Sequence, residues 1–209
     1  MQGLHWDGTM TASALAETGR AVRMTAVTTD NDERSLIRRV ADGRDMAAFE
    51  RLYHEYRPRV GPFVYRIVRD VSANDEVFND VMMAVWHKAE TYSGKSKVST
   101  WVFGIAYRQC LKHLRGRKAM VELDESMHDS VDERGFIERR DLVTRALANL
   151  SPEQRLVVEL SYFEGNTYGE IAAIADCPEN TVKTRMFHAR RHLKAIMAEL
   201  GERVPEEDK

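Results

Sequence analysis

Apolar residues recur along this chain at intervals of three and four, and that period predicts most of its elements. Between Asp45 and Asp70 it is kept by Met46, Phe49, Leu52, Tyr53, Tyr56, Val60, Phe63, Val64, Ile67 and Val68. Such spacing lays one apolar stripe along a helix and predicts that this face is buried. Pro58 and Pro62 each remove an N–H and crowd the preceding turn, so the helix is predicted to bend or break in two there. A shorter pattern covers Ser35 to Ala41. A third opens at Ser72 or Asn74, both good N-caps, with Asp75 and Glu76 where acids suit the helix dipole. Its apolar residues Val77, Val81, Ala84 and Val85 run to Trp86. Tyr92 to Ser99 reads as a polar loop, after which Ser99 or Thr100 caps a helix through Trp101, Val102, Ile105 and Ala106 toward Leu114.

A second helical set begins with Asp141–Leu150. Ser151-Pro152-Glu153 is an N-cap, a proline at the first helical position and an acid, and predicts a helix to about Phe163. Thr167 with Glu170 forms a capping box for the next, which turns Ile171, Ala172, Ile174 and Ala175 inward. Asp176-Cys177-Pro178 is a turn, and Glu179 or Asn180 starts a last helix with Val182, Met186, Ala189 and Leu193 on its apolar side. No stretch alternates as a strand does. The predicted fold class is all-α, two small helical domains joined by a flexible acidic linker. The predicted boundaries are a tail over 1–30, a first domain over 31–118, a linker over 119–140, a helix-turn-helix domain over 141–198 and a tail over 199–209.

Charge sharpens this division. The net charge is −2, which argues against a uniformly basic surface. Trp101 to Lys118, however, carries Arg108, Lys112, Arg115, Arg117 and Lys118 with no acid, and Thr181 to Met197 carries Lys183, Arg185, Arg190, Arg191 and Lys194 with none. Between them, Val121 to Asp141 holds eight acids against three arginines. Two basic blocks parted by an acidic segment predict an anion-binding surface on each module. No apolar run approaches the ~18 residues of a membrane helix, and no signal peptide is evident, so the expected location is cytoplasmic without membrane insertion. Cys110 and Cys177 are too few for a disulfide framework. Cys110-x-x-His113 has ligand spacing, but two ligands do not close a tetrahedral site. Neither a metal nor a cofactor is expected. Phosphate-loop, dinucleotide-glycine, HExxH and GxSxG motifs are all missing, which argues against an enzyme.

Thr167 to Leu193 has the helix, short turn and second helix of a DNA-reading helix-turn-helix. Small apolar residues in its first helix allow close packing. With Val182, Met186, Ala189 and Leu193 committed to the core, the opposite arc of the second helix holds Lys183, Thr184, Phe187, His188 and Arg191. A recognition helix sets such positions against base edges, while Arg185, Arg190 and Lys194 beside the arc suit phosphates. A basic amphipathic helix alone is usually a solvated surface; here the cap, the turn, the small-residue helix and the acid-free helix agree with one another.

The string SPEQRLVVELSYFEGNTYGEIAAIADCPENTVKTRMFHARRHLK resembles the C-terminal DNA-binding domain of the extracytoplasmic-function (ECF) sigma factors of bacterial RNA polymerase. AFERLYHEYRPRV, NDEVFNDVMMAVW and STWVFGIAYRQCLKHLR resemble that family's promoter-melting domain in order and spacing. The resemblance covers about residues 45–115 and 141–197. It implies a subunit that binds core RNA polymerase, reads the −35 and −10 elements of promoter DNA, and is controlled by an anti-sigma factor. It implies polymerase contacts by Glu76, Asp80, Val81 and Trp86, although Val81 and Trp86 read equally well as core. It implies −10 contacts by Lys95, Ser96, Lys97, Trp101, Arg108, Lys112 and Arg115. Trp101 reads more readily as a core anchor, and Arg108 stands where relatives often have Asn. It implies −35 contacts by Lys183, Thr184, Arg185, Phe187, His188, Arg190 and Arg191. His188 stands where relatives often have Arg, and an imidazole offers a different donor and acceptor set. The acidic linker corresponds to the family's connector through the polymerase channel, or is a solvated tether. The competing reading is a conventional helix-turn-helix regulator that binds operator DNA alone as a dimer. A purely structural protein is disfavoured by the two acid-free blocks.

Overall fold

In the computed structural model the described residues are 29–123, 147 and 149–199. Every regular element among them is helical. They belong to two compact units, described here one at a time.

The N-terminal unit has four long helices: α1 (Asp30–Gly43), α2 (Met46–Val68), α3 (Val71–Lys88) and α4 (Val98–Leu123). A 3-10 turn at Ala89–Thr91 follows α3. Helix α1 is longer than the sequence period suggests. Thr29 and Asp32 form a reciprocal capping box at its start, so Thr29 and Asp30 belong to the helix end and not to the expected tail. Helix α2 passes unbroken through Pro58 and Pro62. The prolines deprive the His54 and Pro58 carbonyls of their helical donors. Burial of Tyr56, Val60, Phe63 and Val64 along the same stretch outweighs that loss, so the predicted break is absent. Helix α3 starts at Val71, two residues before the first position that a Ser72 cap gives and four before that of an Asn74 cap. The Asp70 carboxylate accepts from the Ser72 and Ala73 N–H groups and is the cap in place of Ser72 or Asn74.

Helices α2 and α3 run antiparallel, as their cross-links show. Arg57 pairs with Asp75 at 2.6 Å, the Tyr53 hydroxyl donates to Asn79 at 3.0 Å, and the Phe49 and Trp86 rings meet edge to face at 5.0 Å. Phe63 and Phe103 bring α2 and α4 together, with ring centroids 5.1 Å apart. Helix α4 passes the expected domain boundary at Lys118 and continues to Leu123. The remainder of the expected linker, 124–140, lies outside the described residues, as do 1–28 and 200–209 of the expected tails.

A buried carboxylate sits between α1 and α2. Glu33 is 5% exposed, accepts a hydrogen bond from the Tyr56 hydroxyl at 2.8 Å and lies 3.3 Å from the Arg59 guanidinium. Burial raises the Glu33 pKa, and these two partners offset only part of the rise.

Later in the chain come α5 (Pro152–Val158), which runs on into a π-helical turn (Glu159–Phe163), then α6 (Tyr168–Ala175) and α7 (Glu179–Glu199), all of the C-terminal unit except Ala172–Asp176. Ser151 caps α5 with Pro152 at the first position, as the sequence predicts, and Gln154 completes a capping box. Thr167 and Glu170 form the expected box before α6. Helix α5 packs on α7. Of the predicted helix Asp141–Leu150, only Leu147, Asn149 and Leu150 are described. Arg155, 5% exposed, donates to the carbonyls of Leu147 and Leu150, each at 2.9 Å, and so satisfies buried acceptors ahead of α5.

Two outcomes follow. Arg155→Ala orphans the Leu150 carbonyl and leaves the Leu147 carbonyl with only the Leu150 N–H at 3.2 Å, at a cost of about 1–3 kcal/mol, so amide exchange across Leu156–Leu160 accelerates. For Glu33, a raised folded-state pKa means the native state holds the proton longer than the unfolded chain, so its ionisation lowers stability as pH rises above the usual glutamate value near 4.5. The urea midpoint of Glu33→Gln, followed by Trp86 and Trp101 fluorescence, gains on that of the unaltered protein as pH is raised from 4 toward neutrality.

Candidate nucleic-acid interface

The short helix α6, its turn and the long helix α7 of the C-terminal unit have the predicted helix-turn-helix order. Asp176 adopts φ 50° at the turn, and the Pro178 carbonyl accepts from Thr181 and Val182 to start α7. Val182, Met186 and Ala189 are buried, and Leu193 is half-buried. The structure therefore brings Lys183, Thr184, Phe187, His188 and Arg191 onto one exposed face. Phe187 is 64% exposed and its ring meets His188 edge to face at 5.5 Å. A large aromatic left in water at the middle of a cationic face contributes nothing to this unit's core.

The neighbouring residues are differently occupied. Lys183 pairs with Glu179 one turn back at 3.0 Å, an exposed contact that competes weakly with any stronger anion. The Thr184 hydroxyl donates to the Asn180 carbonyl, which turns it along the helix. Arg190 donates to the Tyr162 hydroxyl at 3.2 Å, and Arg185 reaches the Cys177 sulfur at 3.6 Å. Arg185 and Arg190 are thus braced beside the face, positions that suit phosphate rather than base contacts.

In the N-terminal unit, the polar loop after α3 leads into α4. Lys95 and Lys97 are exposed, and Ser96 is half-buried. Trp101 is also half-buried, with its ring 5.5 Å from Tyr92. Arg108, Lys112 and Arg115 lie exposed along α4. The predicted cap at Ser99 or Thr100 is not there. Helix α4 begins at Val98, whose N–H is accepted by Asp30 of α1 at 3.2 Å, and the Thr100 hydroxyl is buried without a partner. Arg34 of α1 donates to the carbonyls of Gly94 and Ser96, each at 2.9 Å, and to Asp30 at 2.6 Å. Sequence reading misses this role of Asp30 and Arg34, because their i,i+4 pair looks like an ordinary surface contact and the loop partners lie 60 to 68 residues away.

On α3, Glu76 and Asp80 are exposed one turn apart, and neither makes an ion pair among the described residues. Val81 is fully buried and is a packing residue, so it is not available as a direct contact. Trp86 is half-buried against Phe49, with the Arg44 guanidinium 5.7 Å from its ring and hydrogen-bonded to its carbonyl.

Cys110 is buried, and desolvation pushes its thiol up to about 12. It remains a neutral packing group at physiological pH. No cluster of three potential metal ligands occurs among the described residues.

Residues 52–120 match the family model described as Sigma-70 region 2, and residues 140–193 match Sigma-70, region 4. The ECF RNA polymerase sigma factor SigK of Mycobacterium sp. (strain JLS) is 31% identical over 183 residues, covering 83% of this chain and 93% of that relative. The ECF RNA polymerase sigma factor RpoE of Cereibacter sphaeroides is 31% identical over 180 residues, covering 81% and 99%. Among the solved structures that share the fold are two complexes. CnrH in complex with the cytosolic domain of CnrY has a TM-score of 0.62 at 22% identity, covering 80% of this chain and 98% of that one. The sigma factor RpoE in complex with the anti-sigma factor NepR from Bartonella quintana has a TM-score of 0.61 at 23% identity, covering 72% and 96%.

The two thiols differ in access, since Cys177 is only half-buried. Iodoacetamide added to the native protein is expected to label Cys177 well before Cys110, as read by peptide mass spectrometry. Equal rates would contradict the packing of α4.

Proposed function

The chain belongs to the ECF RNA polymerase sigma factors, and from that premise we propose that its two units divide promoter reading between them. As a sigma factor it binds core RNA polymerase and directs initiation at a restricted set of promoters.

The C-terminal unit reads the −35 element with α7. The observation that carries this reading is the exposed Phe187 at the centre of a cationic face, on a stretch from Thr181 to Met197 that holds no acid. An aromatic ring there meets thymine methyl groups in the major groove, while Lys183 and His188 offer donors to base edges. Thr184 and Arg191 complete the face, and Arg185 and Arg190 hold the flanking phosphates.

The N-terminal unit reads and opens the −10 element. Lys95, Ser96 and Lys97 address an unstacked base, with Trp101 supporting the loop from behind. Arg108, Lys112 and Arg115 attract the separated strands along α4. Glu76 and Asp80 contact the polymerase, and Trp86 shapes that surface from its half-buried position. The acidic segment 124–140 joins the two units along the chain. The protein works in the cytoplasm and has no catalytic chemistry of its own; none of its described helices is long and apolar enough to cross a membrane. An anti-sigma factor holds it inactive until its signal arrives. The fold shared with CnrH and RpoE, each solved with the partner named above, supports that arrangement.

Run-off transcription with purified core polymerase tests the assignment. The unaltered protein starts transcripts at a restricted promoter set. Lys183→Ala combined with Phe187→Ala loses dependence on the −35 sequence, at about 1–3 kcal/mol of discrimination for each base contact removed. Tight operator binding by the protein alone, with no association with polymerase, overturns the proposal in favour of a conventional regulator.

A further inference from the structure

We propose that Arg34, set by Asp30, is the positioning residue that fixes the loop between α3 and α4 in the shape that reads DNA. This rests on the assignment of that loop to the −10 element.

The geometry is a clasp. A guanidinium is a rigid planar fork with several donors, and Arg34 uses three of them. Its two terminal nitrogens reach the carbonyls of Gly94 and Ser96, both at 2.9 Å, so the bend between them is pinned at two points. The third nitrogen binds Asp30 at 2.6 Å. The other oxygen of Asp30 accepts the Val98 N–H at 3.2 Å, which ties the start of α4 to the same pair. The Tyr92 hydroxyl donates to the Ser96 carbonyl at 2.5 Å, and its ring lies 5.9 Å from the Arg34 guanidinium. One side chain of α1 therefore engages the loop near its entry, at its bend and, through Asp30, at its exit.

Two features show that the fit is close. Gly94 sits at φ 73°, and a Cβ there would stand 3.4 Å from an Arg34 terminal nitrogen. Side chains rarely adopt that φ, so the backbone bend itself selects glycine, while the 3.4 Å approach is an ordinary contact. The Ser96 carbonyl accepts from both Arg34 and Tyr92, which uses both of its lone pairs. That oxygen is closed to a base. Lys95, Ser96 and Lys97 then present their side chains to DNA from a bend held in place before the strand arrives. Preorganisation of this kind confines its effect to the step the loop serves.

The test uses the full chain with core polymerase on a promoter selected by the unaltered protein from a template library randomised at both elements. Run-off yield gives the preference for the selected −10 over a scrambled one, and the same ratio is taken for −35. Permanganate reactivity of unpaired thymines reports melting, and core-polymerase affinity is measured separately. Arg34→Ala, Arg34→Lys and Gly94→Ala are each expected to lose about tenfold or more in −10 preference and in melting. Their −35 preference and polymerase affinity stay unchanged. The failure of lysine to rescue separates the fork from mere charge. Lys95→Ala with Lys97→Ala provides the control. If that double variant loses −10 preference while Arg34→Ala and Gly94→Ala keep it, the clasp is irrelevant and the inference falls. If the double variant keeps its −10 preference, the loop assignment itself is wrong. Equal loss at both elements, or loss of polymerase binding in Arg34→Ala and Gly94→Ala, marks Arg34 as an ordinary structural residue and also overturns the inference.

Discussion

Helix ends are where a wholly helical chain leaves backbone donors and acceptors unpaired, and satisfying those groups organises the described residues. Side chains do it almost everywhere. Thr29 with Asp32, Asp45, Asp70, Ser151 with Gln154, and Thr167 with Glu170 close the N-terminal ends of α1, α2, α3, α5 and α6. Each cap contributes on the order of 1 kcal/mol, small beside the cores but set at defined positions. Together they fix where each helix begins, and so which residues fall on its exposed face. At two ends the partner comes from farther away. Arg155 takes up the Leu147 and Leu150 carbonyls, and Asp30 takes up the Val98 N–H.

Distant partners leave no local trace in the sequence, and even some near ones, Thr29 with Asp32 and Asp70 with Ser72 and Ala73, go unread where the apolar period starts later than the helix. Ser151-Pro152 and Thr167 with Glu170 are visible because cap and partner lie within three residues. The apolar stripes of α2 and α7 are visible for the same reason, since helical period is local. The face Lys183, Thr184, Phe187, His188 and Arg191 follows once Val182, Met186 and Ala189 are assigned to the core. The start of α4 is hidden, because Asp30 lies 68 residues before the N–H it caps. Nothing near Thr100 reveals that its hydroxyl is buried without a partner. The continuity of α2 is likewise hidden, since local proline chemistry predicts a break and only burial of Tyr56, Val60 and Phe63 against neighbouring helices prevents it. Val81 shows a further limit. Resemblance implies a contact, but its place on α3 turns it fully inward.

The two candidate DNA-reading surfaces are built on different principles. The α7 face is one rigid helix, and its reading groups are fixed by the backbone on which they stand. Its cost is an exposed aromatic, Phe187, which a helix without a partner in the groove would have no reason to keep in water. The α3–α4 loop has no such backbone regularity. Its shape comes from a cation and a carboxylate on α1, supported by Tyr92 and Trp101. A helix tolerates many surface substitutions without losing its form, whereas a loop held by one guanidinium does not.

The long sequence separation inside the clasp has a kinetic meaning. Arg34 meets Ser96 across 62 residues, and Asp30 meets Val98 across 68. Contacts between residues so distant along the chain close late, after local helices have formed and docked. The loop therefore takes its shape only when α1, α2, α3 and the start of α4 have all assembled. A copy that has made its helices but not its final tertiary closure has the helical content of a finished molecule without its reading loop. On the proposed assignment of this loop to the −10 element, such a copy lacks the shape that addresses promoter DNA.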